Sequence, residues 1–230
     1  AGAAIATLIA RIIASGLMYY LLRNSRDIIK IRSFMKYRPN MSLIKRILKI
    51  GIPNGIENSV FQVGKILVQG VVASFGTSVI TANAVANSIS AFAVLPGASM
   101  GLALITVIGQ LMGSKDFDGI KEYTRRLLKT TFITMAITNA IILMLVFYIP
   151  KMYNLSAETS AITIQLIVVY CIVSTFLWPP AFALPNAIRA TNDVKFTMIV
   201  SILSMWTFRI VLSYILGITF KMGIMGVWIA

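Results

Sequence analysis

Histidine is absent from this chain, and there is a single cysteine, Cys171. The first absence removes Ser-His-Asp and Cys-His catalysis, imidazole metal sites and histidine proton relays. The second removes any disulfide within the chain and any cysteine-based zinc site. Cys171 lies inside an apolar run and reads as a small packing residue. Acids are scarce, with 7 Asp+Glu against 21 Lys+Arg. A glycine-rich phosphate loop is also lacking, because Gly109-Gln-Leu-Met-Gly113-Ser-Lys115 has the wrong spacing for a P-loop. No ATP engine, bound metal or cofactor is therefore expected, and an ion gradient is the favoured energy source. Little here suggests an enzyme.

What the chain has is apolar length. The hydrophobic fraction is 58% and the mean hydropathy is +0.85, whereas soluble domains run at roughly 45–50% apolar. The apolar residues gather into stretches of about 20 or more, the length an α-helix needs to cross a bilayer. Most of them lack the polar face that a soluble helix carries. The expected fold is all-α, a polytopic transmembrane bundle. Six spans can be drawn, at about 1–22, 50–76, 79–112, 128–149, 160–184 and 195–218, with the start of a seventh near Lys221.

The net charge of +14 would suit nucleic acid, but its placement argues otherwise. The cations lie between apolar spans, without the aromatic interleaving that stacks bases. Segment 23–49 carries nine Lys/Arg: Arg23, Arg26, Lys30, Arg32, Lys36, Arg38, Lys45, Arg46 and Lys49. Segment 113–129 adds Lys115, Lys121, Arg125, Arg126 and Lys129, and segment 185–195 adds Arg189 and Lys195. The alternate connections hold only Lys151 and Lys221. The positive-inside rule puts the basic segments in the cytoplasm, and the alternation supports the span count. Within segment 41–49, Leu43, Ile44, Ile47 and Leu48 face one way, and Lys45, Arg46 and Lys49 largely the other. That pattern predicts a short interfacial helix capped by Ser42, with a plain basic loop as the alternative. Ser156 is a candidate cap for the fifth span, with Glu158 in its first turn.

Polar residues inside the spans carry the functional signal. Asn54, Asn58, Gln62, Lys65 and Gln69 step by 4, 4, 3 and 4, which at about 100° per residue forms one narrow face of the second span. A charge at mid-bilayer facing lipid costs at least ~2.5–3.5 kcal/mol. The face must border either a solvated cavity or a hydrogen-bonded helix interface. Glu57, the only acid in any span, lies just off this face and about 10 Å from the helix start, with Lys65 about 12 Å farther along the axis. Glu57 either exchanges a proton or binds a cation or cationic substrate, or else it forms a structural ion pair near the cytoplasmic mouth. In the third span Asn83, Asn87 and Ser90 share a face that can line the same cavity. Pro96-Gly97 and, in the fifth span, Pro179-Pro180 followed by Pro185 mark kinks, read either as hinges or as static bends. Gly109 and Gly113 are spaced for close helix packing. Arg11 and Arg209 lie within spans and are expected to snorkel or to pair structurally.

Two further patterns concern the whole chain. Met225-Gly-Val-Trp-Ile-Ala230 matches Ala1-Gly-Ala-Ala-Ile-Ala6 at Gly, Ile and Ala in register, which suggests a repeat with a period of about the whole length, as in two-lobed transporters. The run from Val85 through Leu95-Pro96-Gly97 to Gly101, continuing to Ile108-Gly-Gln-Leu-Met-Gly113, resembles the eighth helix of multidrug and toxic compound extrusion (MATE) transporters. Gly51-Ile-Pro53-Asn-Gly-Ile-Glu57 resembles the opening of their seventh helix. Arg189-Ala-Thr-Asn-Asp193 resembles their turn between helices ten and eleven, and Gly2-Ala-Ala-Ile-Ala-Thr7 the end of their first repeat.

The resemblance implies half of a two-lobe, twelve-helix antiporter that expels cationic and amphiphilic compounds in exchange for Na⁺ or H⁺. Residues 1–23 would be the last helix of the first repeat, 24–49 a cytoplasmic basic linker with the interfacial helix, and 50–230 the second repeat, from helix seven to the start of twelve. Glu57 is the candidate for the acid that members carry in the seventh helix. The implied setting is the cytoplasmic membrane of a bacterium. Expected partners are membrane lipids, small cationic or amphiphilic substrates and the first lobe of the same protein, with no nucleic acid. Two other readings stay open: a lipid-linked oligosaccharide flippase of the same broad superfamily, for which Lys65 and Arg209 are the hints, and a non-transporting membrane scaffold or receptor.

Overall fold

Hydrocarbon offers backbone N–H and C=O groups no partner, so apolar segments must satisfy these groups internally, as helices. The computed structural model describes residues 2–24, 40–191 and 194–230, and every regular element among them is helical. The chain divides into two compact units, Ala1–Ile47 and Leu48–Ala230. The first contains α1 (Gly2–Asn24), whose described side chains, Arg11 included, are all exposed. Arg26, Lys30, Arg32, Lys36 and Arg38 of the expected cytoplasmic linker lie outside the described residues, as do Asn192 and Asp193.

Helix α2 runs from Met41 to Ala73. The expected interfacial helix and second span are thus one continuous element. Its N-cap is Asn40 and not Ser42: the Asn40 Oδ1 accepts from the backbone N–H groups of Ser42 (3.1 Å) and Leu43 (3.4 Å). The amphipathic pattern over 41–49 has the helical period, and the helix continues through Gly51 and Pro53. Gly76, at φ +100°, reverses the chain, a conformation that favours glycine.

In the second unit the third expected span is divided at Val94 into α3 (Thr77–Ala93) and α4 (Leu95–Ser114). Pro96 falls in the first turn of α4, where its missing N–H has no helical partner to lose. Next, α5 (Phe117–Leu145) starts well before the expected fourth span. Asp116 caps it by accepting from Gly119 N at 2.9 Å, and Glu122 pairs with Arg126 one turn apart at 2.5 Å. Local caps and i,i+4 pairs extend the helix through sequence too polar for hydrocarbon.

After the short α6 (Ile149–Met152), α7 (Ala157–Trp178) begins at the expected cap, with Ser156 Oγ accepting from Thr159 N at 3.4 Å. A π-helical stretch over Pro179–Ala183 leads into α8 (Leu184–Ala190). The last long helix comprises α9 (Val194–Ser204), a π stretch, α10 (Val211–Tyr214) and a second π stretch, before α11 (Gly223–Ile229). Among the described residues four helical runs, Leu95–Ser114, Phe117–Leu145, Ala157–Ala190 and Val194–Thr219, are long and apolar enough to cross a bilayer.

Packing places α3 on α7, and α4 on α5 and α8. One core joins Val72, Val85, Ala86, Leu166, Ile167, Cys171 and Val227, and a second joins Leu104, Ile108, Ala183 and Ala187. The outward side of α5 is apolar too, with Ile133, Ile137, Ile141 and Met144 all exposed. Each such side chain would cost about 1.5–3 kcal/mol facing water rather than an apolar phase, so this surface belongs against lipid. Gly109 and Gly113, expected at a close helix contact, meet nothing within 4 Å in this chain. On α4 the close approaches fall instead at Gly97, beneath the Trp178 ring, and at Gly101, where an added Cβ would lie 2.6 Å from Asn186 Nδ2.

Candidate functional site

One side of α2 within the second unit is packed. Glu57, Gly64 and Val72 are buried there, and Gly64 lets the helix approach Met205. The ridge of Asn54, Asn58, Gln62, Lys65 and Gln69 runs alongside this flank, and all five are exposed. Asn58 Nδ2 donates to Asn54 O at 2.9 Å along the ridge. The residue spacing therefore separates two chemistries on one helix: a buried acid, and beside it an exposed row of amides interrupted by one ammonium and ending at Gln69, which is bonded to Asn83.

Glu57 is not free. Its Oε1 accepts from Arg189 Nη2 of α8 at 2.5 Å, and its side chain is 7% exposed against 25% for Arg189. Arg189 also donates through Nη1 to Asn186 Oδ1 at 3.2 Å. Of the two chemistries the sequence leaves open for Glu57, the geometry contains the ion pair. When both groups are ionised the pair carries no net charge. Two polar atoms in it are buried without a hydrogen-bond partner, Glu57 Oε2 and Arg189 Nε. Spare acceptor capacity thus remains on the carboxylate. In the sequence Arg189 stands out only as a cytoplasmic-side cation of segment 185–195 and as part of the turn motif over 189–193. The signal that could have found it is general: a lone acid in an apolar span requires a cation, and a residue one turn from a helix end can reach inward.

A second polar group ties α2 to α3 and α11. Gln69 Oε1 accepts from Asn83 Nδ2 at 3.1 Å, and Asn83 Oδ1 accepts from Trp228 Nε1 at 3.0 Å. The Trp228 ring meets Tyr170 of α7 edge-on, with centroids 5.5 Å apart. Arg209, partly buried, lies within electrostatic range of Tyr170. Asn83 is thus a buried connector and not an open wall residue, and Ser90 is likewise buried, donating to Ala86 O at 2.7 Å. Asn87 stays exposed and donates to Asn83 O at 2.8 Å. Trp228 and Tyr170 went unnoticed in the sequence because isolated aromatics in an apolar run carry no periodic signal.

Replacing Asn83 by Leu removes both hydrogen bonds. Interhelical hydrogen bonds in membrane proteins average ~0.6 kcal/mol and reach ~1.7, so a loss of about 1–2 kcal/mol is expected for the two. The measurement is a thermal melt together with Trp228 emission in a Trp178→Phe/Trp206→Phe background. Unchanged emission and melting in the Asn83→Leu variant would show that the indole is not held by this amide.

Pro96 and Gly97 sit at the α3–α4 break and Pro179 and Pro180 open the π stretch, so all four lie at changes of helical path. Gly97 and Pro179 are buried at their kinks.

Comparison with known proteins places this arrangement. A sequence profile described as MatE matches residues 53–215. An uncharacterized transporter, YisQ, from Bacillus subtilis (strain 168) is 26% identical over 232 residues, covering 100% of this chain and 50% of its own length. A probable multidrug resistance protein NorM from Thermotoga maritima is 23% identical, over 99% of this chain and 48% of its length. The corresponding NorM of Listeria innocua is 29% identical over 82% and 41%. Among solved structures, a MOP superfamily transporter from Pyrococcus furiosus superposes with a TM-score of 0.83 at 20% identity, over 99% of this chain and 51% of its own. That transporter is described by a reverse polarity of its binding pocket that suggests a different function. The chain spans about half the length of the curated relatives it matches.

Proposed function

From the premise that this chain belongs to the MatE family of multi-pass membrane transporters, we propose that it forms one lobe of a secondary active antiporter. The transporter exports amphiphilic small molecules across the cytoplasmic membrane in exchange for Na⁺ or H⁺, by alternating access. Residues 50–230 form the second repeat, 1–23 the last helix of the first, and 24–49 the cytoplasmic linker between them. The observation that carries this reading is the ridge from Asn54 to Gln69, a row of polar side chains exposed on α2 beside the flank that packs through Glu57 and Gly64. An amide row of this kind is tolerated at membrane depth where water or a second lobe meets it. The ridge and Asn87 form the wall of the substrate path, and the kinks at Pro96-Gly97 and Pro179-Pro180 are the points about which the lobe flexes.

The test uses cysteine replacements at Asn54, Asn58, Gln62 and Gln69 in the full-length protein. Cys171 is 0% exposed, so it adds little to the background from a water-soluble thiol reagent. We expect periodic labelling along the ridge that substrate slows. Absence of labelling at all four positions, in either direction of an imposed ion gradient, would overturn the cavity reading.

The charge balance favours one refinement. Glu57 is engaged by Arg189, the ridge itself carries no carboxylate, and its only charge is Lys65. This supports, as a second reading, an amphiphile with an anionic headgroup such as a lipid-linked sugar. Lys65→Gln then weakens transport of anionic amphiphiles and leaves cationic ones unaffected. The opposite selectivity supports drug-cation export.

A further inference from the structure

Three cations recur on one face of the first turns of α5. Lys121, Arg125 and Lys129 are spaced by one turn each and cover about 12 Å of helix axis. All three are exposed, and none lies within ion-pair distance of a carboxylate among the described residues. Glu122, the nearest acid in sequence, is paired with Arg126 instead. Between α5 and α8 the three border a groove of about 670 Å³. Its apolar wall is Leu128, Phe132, Leu184 and Ile188, its hydroxyls are those of Thr124 and Thr191, and no carboxylate lines it.

The groove therefore has two chemistries in a fixed order. The ammonium and guanidinium groups lie toward the start of α5, in the segment whose charge bias assigns it to the cytoplasmic interface. Phe132 lies deeper, where α5 enters the apolar phase. A soluble anion would use only the cations, and a neutral lipid tail only the wall. An amphiphile with an anionic headgroup and an acyl chain uses both, in the orientation the bilayer already imposes. Basic pockets between membrane helices on the cytoplasmic side suit such headgroups. We propose that this groove binds an anionic phospholipid of the inner leaflet, its phosphate on Lys121, Arg125 and Lys129 and an acyl chain along Phe132 and Ile188. The site is separate from the α2 ridge and does not depend on which substrate the transporter carries. Because Ile188 immediately precedes Arg189, the bound lipid braces the helix that holds the Glu57 partner.

The experiment measures co-purifying and added lipid on the detergent-solubilised full-length protein by native mass spectrometry. Phosphatidylglycerol is compared with phosphatidylcholine for the wild type, for Lys121→Gln/Arg125→Gln/Lys129→Gln, and for Ile188→Trp, which fills the wall and leaves the charges. The wild type is expected to retain phosphatidylglycerol at least about tenfold over phosphatidylcholine. The triple variant should lose that preference, and Ile188→Trp should bind less of both. Glycerol phosphate, which lacks the chain, should not compete. Equal retention of the two lipids by the wild type would overturn the proposal, as would a preference that survives in the triple variant. Competition by glycerol phosphate would also overturn it, in favour of a soluble phosphate site. If the triple variant does not fold, undiminished phosphatidylglycerol binding by Ile188→Trp would overturn the proposal by itself.

Discussion

Glu57→Gln destabilises the protein, and the loss is largely recovered when Arg189→Gln is added. A buried ion pair is a weak source of net stability, but removing one member leaves the other uncompensated, at a cost of about 3–5 kcal/mol when fully buried. Arg189 keeps a quarter of its side chain exposed, so water screens part of that cost, and about 1–3 kcal/mol is expected here. Both groups in the double variant are neutral amides able to hydrogen-bond each other, so a coupling of about 1–2 kcal/mol should appear in the thermodynamic cycle. Thermal melting of the four purified proteins reads it. Transport separates the roles. Should Glu57 only hold α2 against α8, activity follows stability and returns in the double variant. Should its free Oε2 also take part in proton or cation exchange, the double variant melts like wild type yet stays uncoupled from the gradient. Additive melting losses would show that the pair is not formed in the folded protein.

The outcome at Glu57 also shows what a sequence of this kind discloses. The all-helical, membrane-length character follows from local composition and is legible at once, as are the cap at Ser156 and the polar ridge of α2. Each depends on residues within a few turns of one another. The partner of Glu57 lies on another helix, far along the chain, and nothing in the spacing of either residue encodes the meeting. The same holds for Asn83, whose face suggests a cavity wall but whose amide is taken by Gln69 and Trp228. Helix ends differ from the apolar bounds for a local reason: hydropathy locates hydrocarbon, whereas caps and i,i+4 pairs locate helices. Thus α5 starts at Phe117, inside a segment that hydropathy assigns to water. The π stretches within Val194–Thr219 have no sequence signal that we recognise, since neither holds a proline.

Gly97→Ala is expected to be among the most disruptive single-methyl changes in the chain, and Gly109→Ala among the mildest. Both glycines lie on α4, one at the kink and one near the far end. A Cβ at Gly97 would overlap the Trp178 ring and lie 2.8 Å from Met135 Sδ. The ring cannot easily withdraw, because Phe182 stacks on it with centroids 5.4 Å apart, and Met135 is fully buried. Overpacking of this kind costs typically about 1–3 kcal/mol. At Gly109 an added Cβ meets nothing within 4 Å, and alanine there recovers about 0.5–1 kcal/mol of helix-backbone entropy. Melting temperatures of the two full-length variants should therefore move in opposite directions. Transport adds a second readout, since Gly97 joins the α3–α4 kink to the π stretch that follows Trp178. If these kinks flex together during access, Gly97→Ala slows turnover by more than its stability loss explains, and Trp178→Leu in the same chain, by making room for the methyl, restores part of the rate. A Gly97→Ala protein that melts and turns over like wild type would separate the two kinks. A destabilised Gly109→Ala protein would place a close helix neighbour against the outer face of α4, as the Gly109–Gly113 spacing first suggested.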